Sequence, residues 1–232
     1  DLSFVSAADK FKKTPKNITI VGNPVRVELL YKILPSQARV VFGLDPMKPT
    51  ITVLGGSQGA EKVNDFILEN LEAFLEKYQV LHQVGKEKYK EYKSQYEFIA
   101  KKFSPLIIKN YKFEAYFENN LSQAMDAADV IISRAGAGAI FEIAAKGKPS
   151  ILIPFPDAAG DHQTQNAYEY AQTGAAVVVE QENLLPSIVI GQIDKILTDK
   201  KWSGKMSEAA KNFYHPDAAD KIATHILELW RP

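Results

Sequence analysis

The sequence contains no cysteine among its 232 residues. That excludes a disulfide framework, a thiolate metal site and a thiol nucleophile, and it agrees with a reducing compartment. It also lacks a charge imbalance: 28 basic residues are met by 28 acidic ones. No global field therefore draws nucleic acid or an anionic membrane surface, and no nucleic-acid partner is expected. The lysine clusters Lys10, Lys12, Lys13, Lys16 and Lys86, Lys88, Lys90, Lys93 read as solvated faces, the second interrupted by Glu87 and Glu91. No apolar run reaches the about 20 residues needed to span a bilayer. The opening residues carry no secretion signal, and no initiator methionine stands at position 1, which suggests a processed, truncated or excised chain. The four histidines, His82, His162, His215 and His225, are scattered without ligand spacing, and neither a nucleophile elbow nor a Ser/His/Asp arrangement is present. No metal or cofactor is expected.

What remains is the composition of a globular protein, 46% hydrophobic and 24% charged. Short strands are expected at Leu2 to Val5 and Ile18 to Val21, with a helix at Ala7 to Phe11 between them. Gly22-Asn23-Pro24 and the prolines at 35, 46 and 49 make residues 1–49 read as a connector. From Thr50 onward a regular alternation begins. Strands are expected at Ile51 to Leu54, Val80 to Val84, Leu106 to Tyr111, Val130 to Ser133, Ser150 to Ile153 and Ala176 to Val179. Between them lie helices at Glu61 to Tyr78, Glu87 to Tyr96, Leu121 to Ala127, Ala139 to Lys146 and Gln163 to Thr173. The closing helix, Ala218 to Leu229, carries Ile222, Ile226 and Leu229 on one stripe. Short apolar strands alternating with helices imply an α/β domain over residues 50–232, a Rossmann-like, doubly wound parallel sheet buried on both faces. In such sheets ligands sit beyond the carboxyl ends of the strands.

Three loops at those ends carry chemistry. Gly55-Gly56-Ser57-Gln58-Gly59-Ala60 follows a strand and opens a helix, a pattern that lets backbone amides cradle a phosphate; it serves equally as a tight turn whose glycines only pack. Ser133-Arg134-Ala135-Gly136-Ala137-Gly138-Ala139 repeats the arrangement, and two such turns on one rim suit a diphosphate. Glu142, about one turn into the following helix, is placed to accept from ribose hydroxyls or simply to meet the helix dipole. Arg134 reads either as a phosphate contact or as a structural pair. The third loop runs from Pro154-Phe155-Pro156 to Asp161-His162-Gln163-Thr164-Gln165-Asn166, rich in side chains that can read sugar hydroxyls or cap a helix.

Taken together, these segments resemble the MurG family of glycosyltransferases, which add N-acetylglucosamine to lipid I to form lipid II in peptidoglycan synthesis. The resemblance rests on Val21-Gly22-Asn23-Pro24-Val25-Arg26, on Gly55 to Ala60 with Asn64, and on His82-Gln83-Val84-Gly85. It continues through Phe117 to Met125, Ala128-Asp129-Val130, Ser133 to Ala145, Gly147-Lys148-Pro149 and Asp161 to Ala167. It implies the C-terminal half of a GT-B fold and a UDP-sugar-dependent, inverting hexosyltransferase. By that resemblance Ser57 and Gln58 lie on the diphosphate, and Ala137, Gly138 and Ala139 line phosphates and sugar. Glu142 holds the ribose, backbone around Phe117 and Glu118 reads the uracil edge, and His162 and Gln163 reach the sugar or ribose. Arg26 joins the substrate-binding set. The family's usual threonine is replaced here by Ala139, removing one hydroxyl donor.

The implied partners are UDP-N-acetylglucosamine and, through an N-terminal domain that also carries the general-base histidine and the membrane contact, the lipid I acceptor. Residues 1–49 are then expected to be a remnant of that domain and its connector, in an enzyme located in the cytoplasm at the inner face of the bacterial membrane. Two other readings stand beside it: the donor-binding subunit of a split two-subunit transferase, and a non-enzymatic α/β scaffold.

Overall fold

A computed structural model of the chain describes residues 3–5, 18–56, 59–156 and 161–229. The expected helix at Ala7 to Phe11, the side chain of Leu229 and the loop residues Ser57 and Gln58 lie outside the described residues.

Strands β1 (Ser3–Val5) and β2 (Ile18–Ile20) pair in parallel as a separate two-stranded sheet. A short 3-10 turn at Val27–Leu30 and helix α1 (Pro35–Val41) lead into the main sheet. The order is then β3 (Thr50–Leu54), α2 (Glu61–Glu69), α3 (Leu71–Lys77), β4 (Gln79–Gln83), α4 (Tyr89–Ala100), α5 (Pro105–Ile108) and β5 (Tyr111–Glu114). It continues with α6 (Leu121–Ala127), β6 (Val130–Ser133), α7 (Ala137–Lys146), β7 (Ser150–Leu152), α8 (His162–Gln172) and β8 (Ala176–Val178). Helices α9 (Pro186–Thr198), α10 (Lys200–Phe213) and α11 (Ala218–Leu229) close the chain.

The six strands lie in the order β5-β4-β3-β6-β7-β8, every neighbouring pair parallel. Because successive side chains of a strand point to opposite faces, the apolar runs supply two cores at once. Ile51, Val53, Val80, Val130, Ile132 and Ile151 pack on one side against α2, α3 and α9. Leu54, Leu81, Ile131 and Leu152 pack on the other against α6, α7 and α8. Each such buried side chain contributes about 1.5–3 kcal/mol of hydrophobic stabilisation.

Residues 21–49, expected to act as a connector, also contribute to the second core: Leu29 and Leu44 are buried in it, Ala38 of α1 is buried as well, and α1 packs on α6. Polar anchors fix this segment. Lys146, wholly buried, donates to both carboxylate oxygens of Asp126 at 2.9 Å, to Ser122 Oγ at 2.7 Å and to the Tyr31 carbonyl at 2.8 Å. Asp126 Oδ2 also accepts from Ile33 N at 3.1 Å. Arg39 donates to the carbonyls of Ala127 and Pro46 and to Asp129 Oδ2.

Two expectations need correction. The single helix at Glu61 to Tyr78 is two, broken at Asn70, whose side-chain amide donates to the Phe66 carbonyl at 2.8 Å and so competes with the helical ladder. The expected strand at Leu106 to Tyr111 is displaced: Ser104-Pro105 starts the one-turn helix α5, since proline fits a helical N1 position, and the strand begins only at Tyr111.

Candidate functional site

The chain lays β4 and β5 outward from β3 on one side, then returns to place β6, β7 and β8 on the other. The loops leaving the carboxyl ends of β3 and β6 therefore diverge and open a crevice. A cavity of about 790 Å³ occupies it.

The β3 loop is pressed against the end of β4. Gly55 N donates to the Gln83 carbonyl at 3.2 Å, and a Cβ on Gly55 would stand 2.9 Å from that oxygen. Gly59 has φ +85°, and a Cβ there would meet the Val84 carbonyl at 2.5 Å. Only glycine fits both demands at position 59. The β6 loop ends at Gly136, the N-cap of α7, which offers no side-chain cap bond. The first-turn amides of α7 thus remain available at the positive end of the helix dipole. Gly138 and Ala139 line the cavity, and a Cβ on Gly138 would meet open space. Ala139 presents a methyl group and no hydroxyl.

Glu142, one turn further along α7, faces the same cavity. Its Oε1 receives both Nε and Nη2 of Arg26, at 3.0 and 2.8 Å. Burial pushes the Glu142 carboxyl above its ordinary value, and the Arg26 charge and hydrogen bond pull the other way. Neither arginine bond uses Oε2, so the carboxylate keeps accepting capacity.

Gln83 was not foreseen as a site residue, and it ties two rims together. Its Oε1 accepts from Phe117 N at 3.0 Å and its Nε2 donates to the Gly56 carbonyl at 3.2 Å. A polar side chain at the carboxyl end of a strand, where ligands gather in such sheets, was the available signal. Phe117 itself is a core residue, edge-on to Phe42 at 5.8 Å, and neither it nor Glu118 is part of the cavity wall. Glu118 is exposed and ion-paired to Lys86.

On the far side, Gln163 lines the cavity, with its Oε1 accepting from Phe155 N at 3.1 Å, and Asn166 donates to the Ala135 carbonyl at 3.2 Å. His162 opens α8, exposed to solvent, and is not part of the cavity wall; nor is Ala137. Arg134 donates to the Ile153 and Pro154 carbonyls at 3.2 and 3.1 Å and to Gln181 Oε1 at 2.7 Å. Of the residues expected in the site, Arg26, Gly138, Ala139, Glu142 and Gln163 share one cavity. Among the described residues no cluster of histidine and carboxylate side chains has the makings of a metal site.

The chain has counterparts among known proteins. Residues 50–222 match the glycosyltransferase family 28 C-terminal domain. The chain belongs to that family. The relatives of the family 28 domain include the UDP-N-acetylglucosamine--N-acetylmuramyl-(pentapeptide) pyrophosphoryl-undecaprenol N-acetylglucosamine transferase of Pediococcus pentosaceus, 33% identical over 222 residues, covering 95% of this chain and 58% of that protein. The identically named protein of Desulforamulus reducens is 34% identical over 211 residues, covering 89% of this chain and 55% of that protein. The chain thus spans less than two thirds of the length of these relatives. Among solved structures, Acinetobacter baumannii MurG superposes with a TM-score of 0.66 at 24% identity, covering 92% of this chain and 58% of that one. The calicheamicin glycosyltransferase CalG4 superposes at 0.62 and 16% identity, covering 100% of this chain and 53% of that one. Both likenesses place the family 28 domain in the fold of the C-terminal half of a GT-B glycosyltransferase.

Proposed function

We propose that this chain binds UDP-N-acetylglucosamine and serves as the donor domain of an inverting transferase that passes N-acetylglucosamine to lipid I, forming lipid II. The observation that carries the reading is the single cavity at the β3/β6 switch point, where two glycine turns and Glu142 meet. The diphosphate lies along the β3 loop, with Ser57 and Gln58, and at the amino end of α7, with Ala137, Gly138 and Ala139. Glu142 Oε2 accepts from the ribose hydroxyls while Arg26 holds Oε1. Backbone at Phe117 and Glu118 meets the uracil edge, and His162 and Gln163 reach towards the sugar.

As the glycosidic bond breaks, negative charge gathers on the departing UDP. Amides fixed before the reaction at the start of α7 stabilise that charge without reorganising. The acceptor lipid and the general base are assigned to the portion of the relatives that this chain does not match, along with contact to the inner face of the bacterial membrane. Residues 1–49 serve as the link to that portion, and residues 50–232 as the donor domain. Among the described residues no helix is long and apolar enough to cross a membrane.

Thermal-shift measurement with UDP-N-acetylglucosamine, UDP-glucose and ADP tests the reading. Stabilisation by both uridine compounds, stronger for the N-acetyl sugar, is the expected result. Equal stabilisation by ADP would remove the uridine assignment.

A further inference from the structure

The cavity wall holds two arginines in opposite electrostatic situations. Arg26 is neutralised by Glu142 at 2.8 Å. Arg134 is half-buried, and all three of its hydrogen bonds go to neutral oxygens: two backbone carbonyls and the Gln181 amide. Its guanidinium also lies over the Phe155 ring, 5.3 Å from the centroid. Among the described residues no carboxylate pairs with it. Glu180, adjacent to Gln181, is engaged instead by the Tyr168 hydroxyl at 2.7 Å. Burial alone lowers the Arg134 guanidinium to about 10, still fully protonated at neutral pH.

A cation taken out of water without an anion is costly, and carbonyl dipoles and a ring face offset that cost only in part. An ordinary structural arginine is relieved by a carboxylate. Gln181 sits where such a carboxylate would stand, and it differs from glutamate by one amide nitrogen in place of an oxygen. The amide fixes the guanidinium in place and, among the described residues, leaves its charge without a carboxylate partner beside the cavity.

We infer that Gln181 is a positioning residue that holds Arg134 as an unneutralised cation for the diphosphate of the bound nucleotide. This deepens the donor-binding reading and rests on it for the identity of the anion. It places a further segment, the loop after β8 with Gln181, in the anion site alongside the end of β3, the start of α7 and Phe155. The positive charge complements the diphosphate most when the sugar has left and the anion is fully developed, so product UDP is favoured over the intact donor.

The decisive variant is Gln181→Glu. It preserves size and the acceptor oxygen on Arg134 while supplying the missing negative charge, so the fold is kept and a purely structural arginine would be held at least as well. Titration calorimetry of the chain with UDP, uridine and inorganic pyrophosphate reads the effect. Affinity for UDP and for pyrophosphate is expected to fall about tenfold or more, the scale of losing one charge-assisted contact, with uridine unchanged. Arg134→Gln is expected to give the same pattern. Asp157→Asn, which removes the acidic residue nearest Phe155 in sequence, is expected to leave all three affinities unchanged.

UDP binding that is equal in wild type and Gln181→Glu overturns the inference and leaves the donor-binding reading standing. Pyrophosphate binding that weakens in Gln181→Glu, in a chain that binds UDP no more tightly than pyrophosphate and does not bind uridine, upholds the anion site and rejects the uridine donor. Pyrophosphate and UDP both failing to bind the wild-type chain, or tighter anion binding in Asp157→Asn, overturns it.

Discussion

Arg26 and Glu142 are 116 positions apart, yet two of the three guanidinium nitrogens, Nε and Nη2, converge on one carboxylate oxygen, at 3.0 and 2.8 Å. The segment before α1 thereby reaches the wall of the switch-point cavity. Replacing Arg26 with alanine leaves Glu142 half-buried without its cation, so its carboxyl rises further above the ordinary value. UDP affinity is then expected to weaken as pH falls through the acid range, more steeply than in the wild type, because only the ionised carboxylate accepts from two hydroxyls. Calorimetric titration at a series of pH values checks this; parallel pH profiles for the two proteins would count against it.

His82 is fully buried between Asn64 and two tyrosines. The Asn64 amide donates to the Val84 carbonyl at 2.8 Å, so its oxygen faces His82 Nε2, which must carry the proton. Burial lowers the imidazole to about 3. The unfolded chain, with an ordinary histidine value of about 6.5, therefore binds the proton first as pH drops. Stability from this group is complete above about pH 6.5 and declines by up to about 1.4 kcal/mol per unit towards pH 3. Urea unfolding across that range should show a shallower acid slope in His82→Gln than in the wild type.

Two glycines of the site should separate stability from binding. Gly59→Ala forces a side chain into positive φ and against the Val84 carbonyl, at an expected cost of about 1–3 kcal/mol. Gly138→Ala meets no neighbour and lies within a helix, where the exchange is worth about 0.5–1 kcal/mol in favour of alanine. Its methyl group nevertheless enters the cavity, so melting temperature is expected to hold or rise while UDP affinity falls.

The Lys146–Asp126 pair anchors residues 31–33 to the domain. Lys146→Ala strands a buried carboxylate, and the expected loss is about 3–5 kcal/mol. Denaturant unfolding reads the loss, and limited proteolysis should cut residues 21–34 faster than in the wild type.

The sheet was legible because a parallel strand covered on both faces must be apolar throughout, and runs such as Val130 to Ser133 admit little else. The glycine turns were legible for a related reason: only glycine tolerates the approach of the β3 loop to Val84. What escaped notice depends on distant partners. The position of Gln83 hints at a role, but nothing local names Phe117 and Gly56 as its partners, or Arg134 as the partner of Gln181, because each bond spans more than 25 positions. The core role of Leu29 and Leu44 was hidden by prolines that suggested a mere link. Strand β5 was misplaced by a few residues because its apolar neighbours Leu106 to Ile108 form one helical turn after Pro105.

The central claim is that the switch-point cavity holds a uridine nucleotide through Glu142. Isothermal titration calorimetry of the chain with UDP, UDP-N-acetylglucosamine and ADP, repeated with Glu142→Ala, tests it directly. The account predicts binding of both uridine compounds in preference to ADP, weakened about tenfold or more in the variant, as expected for loss of hydrogen bonds to a charged group. Binding of UDP that the variant leaves unchanged, or no preference for uridine over adenosine, would contradict it.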